Sequence, residues 1–282
     1  MHIRRKKWAR PELEACPWFE GEGERRKGHW REGFSRPEAP LHLEMGCGKG
    51  VSTARMAAEN RDVNYVAVDI SPDVLGDARR NIAAAQEGHP ENIRLLRADI
   101  ALIDRCFDEN DGAERIYISF CNPWSERPKH EKRRLTHPRQ LAQYRKILRP
   151  EGEIWFKTDD DCLFDDSRVY FSLCGFETAY ITWNLAESGF EPNYLSEHEI
   201  KYRSLGVPIK FAIFRKTGEE ISFDPTRFRI TPGLKKRILE GEARGPQAGG
   251  EEIRRRPAPP SWKRGGRRRA FPAFRRRTGA AI

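Results

Sequence analysis

Short apolar segments alternate with amphipathic helical segments between residues 41 and 158, and this alternation constrains the fold more than any other feature. Strands are predicted at residues 41–45, 64–69, 92–97, 115–120 and 153–158. Helices are predicted at residues 51–59, 72–86 and 138–148. Strands joined through helices pair in parallel, with right-handed crossovers. The segment therefore predicts an α/β fold built on a parallel sheet.

The chain beyond residue 158 predicts how this sheet is completed. Residues 162–174 have a helical pattern, and residues 176–183 and 209–215 read as two further strands joined by a long loop. Five parallel strands followed by an antiparallel pair are the outline of the class I S-adenosylmethionine-dependent methyltransferase fold. That fold is Rossmann-like, with a mostly parallel seven-stranded sheet and helices on both faces. We expect the catalytic domain at 41–216, after a basic, aromatic and loop-like N-terminal arm at 1–40.

The positive charge of the chain is concentrated in its last part. The net charge is +10, and residues 217–282 hold 17 Lys and Arg against 7 Asp and Glu, so residues 1–216 are neutral overall. This Arg/Gly/Pro-rich extension is either an RNA-binding arm or an unselected extension. Residues 241–282 lack a helical or strand period, and the extension 217–282 is predicted to be a disordered segment dispensable for chemistry.

Several classes of protein are disfavoured by the sequence. No apolar run approaches the roughly 18–20 residues of a membrane span. The six cysteines lie far apart, and His130, His137 and His198 lack metal-ligand spacing with one another. These features predict a cytoplasmic protein without a disulfide framework, a metal or a membrane partner. The choice between monomer and homodimer stays open.

A glycine-rich loop follows the first predicted strand, with the sequence E-M-G-C-G-K-G from Glu44 to Gly50. Gly46 and Gly48 let the backbone turn sharply and approach a ligand closely. The dinucleotide fingerprint G-x-G-x-x-G is broken, because residue 51 is Val. Glu44 would repel a pyrophosphate, whereas it suits the sulfonium and ammonium groups of S-adenosylmethionine. The alternative is a glycine-rich turn without a ligand.

Two further acids follow the next two predicted strands and favour the cofactor. Asp69 can accept hydrogen bonds from ribose hydroxyls, and Asp99 can face the adenine amino group. Open α/β sheets bind ligands at the carboxyl ends of their strands. Together with Glu44, these acids predict an S-adenosylmethionine site at that edge.

The segment after the fourth predicted strand carries a more specific pattern. Ser119–Trp124 reads S-F-C-N-P-W and is followed by a basic stretch that ends in K-R-R-L. These pieces resemble the tRNA guanine-N7 methyltransferase family, whose fourth strand ends in F-x-D-P-W before a K-R-R-L segment. Lys157-Thr158-Asp159 resembles the family's T-D, and Ser196–Glu199 resembles its T-x-x-E, with Leu205-Gly206 fitting the L/K-G that follows. The resemblance covers about residues 1–216.

The resemblance implies transfer of a methyl group from S-adenosylmethionine to N7 of guanine 46 in the variable loop of tRNA. It makes Asn122 the catalytic residue, which also contacts the cofactor. It assigns substrate binding to four residues, namely Lys129, Asp159, Ser196 and Glu199. Carboxylates can accept hydrogen bonds from N1 and N2 of guanine, which suits guanine over adenine.

The sequence departs from the family pattern at three places. Asn122 stands where the family usually has Asp, so positioning survives while the negative charge is lost. Ser196 replaces Thr and keeps the hydroxyl. The segment after Trp124 is one residue longer than the family's, so its lysine corresponds to Lys129, although Glu126 occupies the literal offset.

The basic stretch and the tryptophan beside it have alternative interpretations. Lys132, Arg133 and Arg134 could form a solvated helix face, but their place directly after the reaction site predicts contact with RNA phosphates. Trp124 is either a core residue or a wall on which a flipped base stacks.

Two rival functions remain open at this point. An exocyclic-amino RNA methyltransferase would use an Asn-Pro-Pro-Tyr-type motif, which Asn122-Pro123-Trp124 partly matches without the second proline. A non-catalytic RNA-binding protein on a methyltransferase scaffold would have no need of Glu44, Asp69 and Asp99 as a cofactor site.

Overall fold

A single mixed sheet forms the centre of the computed structural model, which describes residues 5–87 and 90–244. Its strands are β1 (Phe19–Glu20), β2 (Leu41–Met45), β3 (Asn64–Asp69), β4 (Ile93–Arg97), β5 (Ala113–Ser119), β6 (Leu148–Thr158), β7 (Phe176–Thr182) and β8 (Lys210–Lys216). The strand order is β1-β4-β3-β2-β5-β6-β8-β7. Strands β1 to β6 pair in parallel, and β8 lies antiparallel between β6 and β7. The predicted class I methyltransferase fold is confirmed.

The sheet has eight strands where the sequence predicts seven. The additional strand is β1, which pairs with the outer edge of β4 through Phe19 and Leu95. A two-residue strand carries no alternating pattern, because period two needs several residues to show. The seven predicted strands are all present, with ends that differ by a few residues.

The helices cover both faces of the sheet. They are α1 (Ala9–Glu14), α2 (Val51–Glu59), α3 (Pro72–Ala85), α4 (Pro138–Ile147), α5 (Asp161–Leu173), α6 (Glu197–Ser204) and α7 (Pro232–Arg244). Successive side chains of a strand point to opposite faces. In β3, Val66 and Val68 therefore pack in one core cluster while Tyr65 and Ala67 pack in the other. The two clusters are the two sides of one α/β layer structure.

The N-terminal arm is packed on the domain and is not the loop that the sequence predicts. Helix α1 lies against α3 at Gly76, where a Cβ atom would come within 2.7 Å of the Ala9 Cβ. Trp30 is buried, stacks on Phe107 at 4.9 Å, and donates its indole N–H to the Cys106 carbonyl at 2.8 Å. The sequence does not predict these contacts, because the tryptophans and prolines of the arm are not spaced with a helical or strand period.

The prediction that residues 217–282 are disordered is wrong for residues 217–244. Four apolar side chains of this segment pack against the core, namely Ile221, Phe223, Phe228 and Ile230. Helix α7 follows them and contacts α5. The apolar residues are spaced irregularly, so their burial is decided by the surface that they meet. The arginine triplets of residues 245–282 lie outside the described residues.

Helix α4 begins at a buried histidine that must be neutral. His137 accepts the backbone N–H of Arg139 through Nδ1 at 3.2 Å, and burial lowers the pKa of its ring to about 4. A group whose pKa is depressed by folding stabilises the native state above its unfolded pKa, and that contribution is lost as pH falls.

We expect the free energy of unfolding to decline by on the order of 2 kcal/mol through this group between pH 7 and pH 4.5. His137→Asn keeps an N-cap acceptor and removes the titrating group. Chemical denaturation should therefore show a free energy of unfolding that falls less steeply between pH 7 and pH 4.5. His29→Asn serves as the control, because Glu32 raises the pKa of the exposed His29 ring. If the free energy of unfolding of His137→Asn fell between pH 7 and pH 4.5 as steeply as that of the wild type, the buried neutral ring would not be the source of the decline.

Candidate functional site

The predicted site residues meet at the carboxyl edge of the parallel strands. Glu44 lies in β2, and Asp69 is the last residue of β3. Asp99, Asn122 and Asp159 follow the ends of β4, β5 and β6. Parallel strands end on the same side of a sheet, so residues far apart in the sequence are brought to one crevice.

The glycine loop adopts the conformation that its sequence predicts. Gly46 and Gly48 have positive φ angles of 80° and 55°, which favour glycine. The N–H groups of Gly46 and Cys47 both donate to the Val68 carbonyl, at 2.9 and 3.0 Å. A Cβ atom on Gly48 would meet nothing within 4 Å. The loop is thus held against β3 while its Gly48 face stays open to a ligand.

Asp69 fixes this loop through its carboxylate. Its Oδ2 accepts the N–H of Gly48 at 3.1 Å, and its Oδ1 accepts the N–H of Ser71 at 2.9 Å. Burial raises the pKa of Asp69, while these backbone donors oppose the rise. Asp69 therefore positions the loop as well as facing the crevice.

Asp99 is exposed and begins a 3-10 helix, Ile100–Arg105. Its Oδ1 accepts the N–H of Ala101 at 2.9 Å. A helix cap is the ordinary use of an acid at this place. The cap fixes the orientation of the carboxylate at the sheet edge without occupying all of its acceptor positions.

Glu44 is a buried acid with a strongly perturbed protonation equilibrium. Its side chain is 3% exposed and accepts hydrogen bonds from the hydroxyls of Ser52, at 3.0 Å, and Thr53. Burial raises the pKa of Glu44 to about 7, although Ser52 and the charge of Lys157 lower it. A carboxylate in this state gains from a cationic ligand, because the ligand's charge offsets the cost of desolvation.

A cavity lies beside Glu44, between the sheet edge and the loop before α6. Its polar lining consists of Glu44, Ser52, Ser119, Lys157 and Asn193. Aromatic side chains also line it, namely Tyr117, Trp155, Phe190, Tyr194 and Phe211. The volume of the cavity is about 20 Å³, which is room for about one water molecule, so it is a small polar gap beside Glu44 and does not by itself form a cofactor site.

Lys157 and Asn193 are two residues of this cavity that sequence reasoning does not assign to the site. Lys157 donates to Asn193 Oδ1 and, at 3.2 Å, to Glu199 Oε2. Burial lowers the pKa of Lys157, whereas Glu199 raises it. Lys157 begins the K-T-D piece that resembles the family, and this piece could have indicated that it lies near the site. No sequence signal indicates a role for Asn193.

The Ser196–Glu199 motif begins α6 and buries its acid. Ser196 is the N-cap and its hydroxyl accepts the N–H of Glu199 at 3.1 Å. The Glu199 side chain is 1% exposed and accepts hydrogen bonds from Asn193, at 2.8 Å, and from Lys157. Glu199 is thus part of a buried polar network and is not the surface acid that its spacing alone would allow.

Asp159 is paired with a histidine that the sequence left without a role. The Asp159 Oδ1 and His198 Nε2 atoms are 3.1 Å apart. The His198 ring lies 4.5 Å from the Phe120 ring and stacks on Tyr202 at 4.2 Å. The aromatic packing fixes the imidazole, which in turn orients the Asp159 carboxylate.

The Asn122–Trp124 turn projects from the end of β5. Asn122 is exposed, and its Oδ1 accepts the N–H of Trp124 at 2.9 Å. Phe120 and Trp124 have positive φ angles of 54° and 48°, so the turn is strained on both sides. Trp124 is half-buried and lies 5.1 Å under the Arg133 guanidinium. The structure does not place it in either core cluster, which favours a wall of the crevice.

The basic stretch after this turn divides into exposed and buried residues. Lys129, Lys132 and Arg133 are exposed on the 3-10 helix Pro128–Arg133. The prediction that Arg134 contacts RNA phosphate is wrong, because its side chain is 1% exposed. Arg134 donates to the Pro123 carbonyl at 2.6 Å and to Asp166 Oδ2 at 2.7 Å.

Glu126 and Lys129 are the two candidates for the position of the family's lysine after Trp124. Both are exposed, so burial does not show which of them corresponds to it. Within residues 5–87 and 90–244, no group of three His, Cys, Asp or Glu side chains is arranged to hold a metal ion. No helix in the same ranges is long and apolar enough to cross a membrane.

Comparison with known proteins gives consistent matches. A family model described as "Putative methyltransferase" matches residues 38–212. The tRNA (guanine-N(7)-)-methyltransferase of Clostridium perfringens (strain SM101 / Type A) is 50% identical over 219 residues, which are 77% of this chain and 100% of the relative. That of Clostridium botulinum (strain Alaska E43 / Type E3) is 51% identical over 216 residues, 76% of this chain and 98% of the relative. Among solved structures, a 16S rRNA methyltransferase, KamB, matches with a TM-score of 0.47 and 14% identity, over 66% of this chain and 90% of that one.

Proposed function

Since this chain belongs to the family of bacterial tRNA (guanine-N(7)-)-methyltransferases, we propose that it methylates N7 of guanine 46 in the variable loop of tRNA, with S-adenosylmethionine as methyl donor. The observation that carries the proposal is the meeting of Glu44, Asp69, Asp99, Asn122 and Asp159 at one sheet edge. Glu44, Asp69 and Asp99 are the acids that the sequence assigns to the cofactor, and Asn122 and Asp159 lie in the pieces that resemble the family pattern.

The donor set at the glycine loop fits this cofactor. Buried Glu44 favours a cationic group, and the open face of Gly48 leaves room for the ligand's close approach. Asp69 and Asp99 supply acceptors for the ribose hydroxyls and the adenine amino group. When bound, S-adenosylmethionine supplies an electrophilic methyl group on a sulfonium.

Methylation at N7 of guanine depends on how the protein positions the reactants and needs no proton transfer by a side chain. N7 of guanine has an in-plane lone pair, so no base is needed to remove a proton before transfer. Holding the reactants in line and excluding water can account for most of the rate acceleration. Asn122 and Trp124 form the turn nearest to this task, and Asp159 supplies an acceptor for the base. Glu199 is 1% exposed and is bonded to Lys157 and Asn193, so it lies too deep to contact the base.

Contact with tRNA is assigned to the exposed basic side chains of the Pro128–Arg133 helix. Lys129, Lys132 and Arg133 follow the Asn122–Trp124 turn directly, where phosphates flanking the target base would pass. The six cysteines are all free thiols, which supports a reducing, cytoplasmic location.

The test is transfer from labelled S-adenosylmethionine to unmodified tRNA, followed by nucleoside analysis of the product. N7-methylguanosine that disappears when guanine 46 is replaced supports donor, reaction and position together. An N2- or N6-methylated base would favour an exocyclic-amino methyltransferase instead. Cofactor binding without any transfer would contradict the proposed acceptor.

Asn122 provides a test of how the site works without the family's carboxylate. We expect Asn122→Asp to transfer methyl groups at least as fast as the wild type, because Asp keeps the acceptor for the Trp124 N–H and adds a charge that stabilises the cationic product. Asn122→Ala removes the acceptor and should be about tenfold slower or worse. Single-turnover rates measure both, and a slower Asn122→Asp enzyme would show that the site has adapted to the amide.

A further inference from the structure

Helix α7 lies beyond the residues that the family model matches. The family model ends at residue 212, and the alignment with the Clostridium perfringens relative covers all of that protein but only 77% of this chain. Residues 217–244 nevertheless pack on the catalytic domain, with Phe228 against Tyr170 at 6.1 Å and against Phe223 at 4.8 Å. The extension is therefore held on the catalytic domain by apolar contacts.

One charged contact links α7 to helix α5. Lys235 donates from Nζ to Asp166 Oδ1 at 2.7 Å. The Asp166 side chain is 7% exposed and Lys235 is 27% exposed, so the pair is largely shielded from water. Shielded pairs are screened by salt much less than exposed ones.

The second oxygen of the same carboxylate holds Arg134. Asp166 Oδ2 accepts from the Arg134 guanidinium at 2.7 Å, and this arginine is 1% exposed. Its Nε donates to the Pro123 carbonyl at 2.6 Å. Lys235, Asp166, Arg134 and Pro123 thus form a continuous relay from α7 to the turn that carries Asn122.

The relay needs both cations on the carboxylate. A buried carboxylate with one unpartnered oxygen turns toward water or another donor, because burying a charge without partners is costly. Such a turn would displace Arg134 and release the Pro123 carbonyl. The turn at Pro123 is strained at Phe120 and Trp124, so it relaxes when its anchor is lost.

We propose that Lys235 is a positioning residue for methyl transfer, acting through Asp166 and Arg134 to hold the Asn122–Trp124 turn in its reactive conformation. This rests on the proposed function. The extension beyond the family domain is then part of the working enzyme and is not dispensable for chemistry.

The experiment compares Lys235→Met with Lys236→Met in the full chain. Methionine keeps the apolar stem and removes the charge, and Lys236 is an exposed neighbour that faces Glu240 at 3.9 Å. We expect Lys235→Met to lower kcat about three- to tenfold, since small displacements of a reacting group are costly. The KM for S-adenosylmethionine should change much less than kcat, because Glu44 and Asp69 are not touched. Lys235→Arg should restore kcat.

Amide hydrogen exchange gives a readout that does not depend on turnover. Peptides covering residues 120–127 should exchange several-fold faster in Lys235→Met, while peptides of α2 and α3 keep their wild-type rates. Exchange that rises throughout the protein, or that matches Lys236→Met at residues 120–127, would overturn the relay. Absence of methyl transfer by the wild-type enzyme would contradict the proposed function alone, and the exchange comparison would still decide the relay.

Discussion

We expect Glu44→Gln to bind S-adenosylmethionine about 10- to 100-fold more weakly than the wild type, since a charge-assisted hydrogen bond contributes roughly 1.5–3 kcal/mol. In the proposed cofactor site the buried carboxylate receives the cationic group, and glutamine keeps its shape without its charge. Isothermal titration calorimetry measures the affinity. Glu59→Gln, an exposed acid at the end of α2, is the matched control and should bind within about twofold of the wild type.

The same substitution should make the protein more stable at alkaline pH. Burial raises the pKa of Glu44 from its ordinary 4.5 to about 7. A group with a raised pKa stabilises the fold below its unfolded pKa, and that contribution is lost as pH rises through the folded pKa. At pH 8 the charged form therefore costs about 3 kcal/mol, which Gln removes.

Urea denaturation of wild type and Glu44→Gln at pH 5 and pH 8 measures this difference. The stability gain of the variant should be present at pH 8 and small at pH 5. An equal gain at both pH values would mean that Glu44 does not titrate in this range. In the calorimetric titration, an unchanged affinity of Glu44→Gln for S-adenosylmethionine would show that a different residue receives the cation.

Arg134→Met should lower the free energy of unfolding by about 3–5 kcal/mol, the usual cost of removing one partner of a buried ion pair. The loss combines an Asp166 carboxylate left with Lys235 alone and a Pro123 carbonyl without its donor. Lys132→Met, two residues away and exposed, should change the stability by no more than about 0.5 kcal/mol. Chemical denaturation monitored by circular dichroism measures both.

Similar stabilities of the two variants would contradict the buried position of Arg134. A double-mutant cycle adds a sharper comparison with the relay. Residues that share a carboxylate are coupled, so Lys235→Met should lower the free energy of unfolding more in the Arg134→Met background than in the wild type, because it then leaves the buried Asp166 without a cation. Additive effects would mean that the two cations act on Asp166 independently.

The strands and the glycine loop could be predicted because their signals are local. Apolar runs separated by helical periods place β2 to β6, and the order of a parallel sheet brings Glu44, Asp69 and Asp159 to one edge. Positive φ angles at Gly46 and Gly48 follow from the sharp turn that the sequence requires. Each of these features depends on residues close together in the chain.

The roles of charged side chains could not be separated in this way. Lys132, Arg133 and Arg134 are consecutive basic residues, yet only Arg134 is buried, because Asp166 of α5 and the Pro123 carbonyl meet it there. Glu199 has the spacing of a substrate acid, but Lys157 and Asn193 draw it into a buried network. Partners that lie up to tens of residues away leave no mark on the local pattern.

The sequence by itself determined the fold class and the family and predicted the cofactor edge, since periodicity, glycine conformation and motif spacing are properties of short segments. Only the tertiary structure decided that β1 joins the sheet, that residues 217–244 fold onto α5, and that Lys235 reaches the anchor of the Asn122–Trp124 turn. The physical reason is that burial and ion pairing depend on which surfaces meet, and distant segments meet only once the chain has folded.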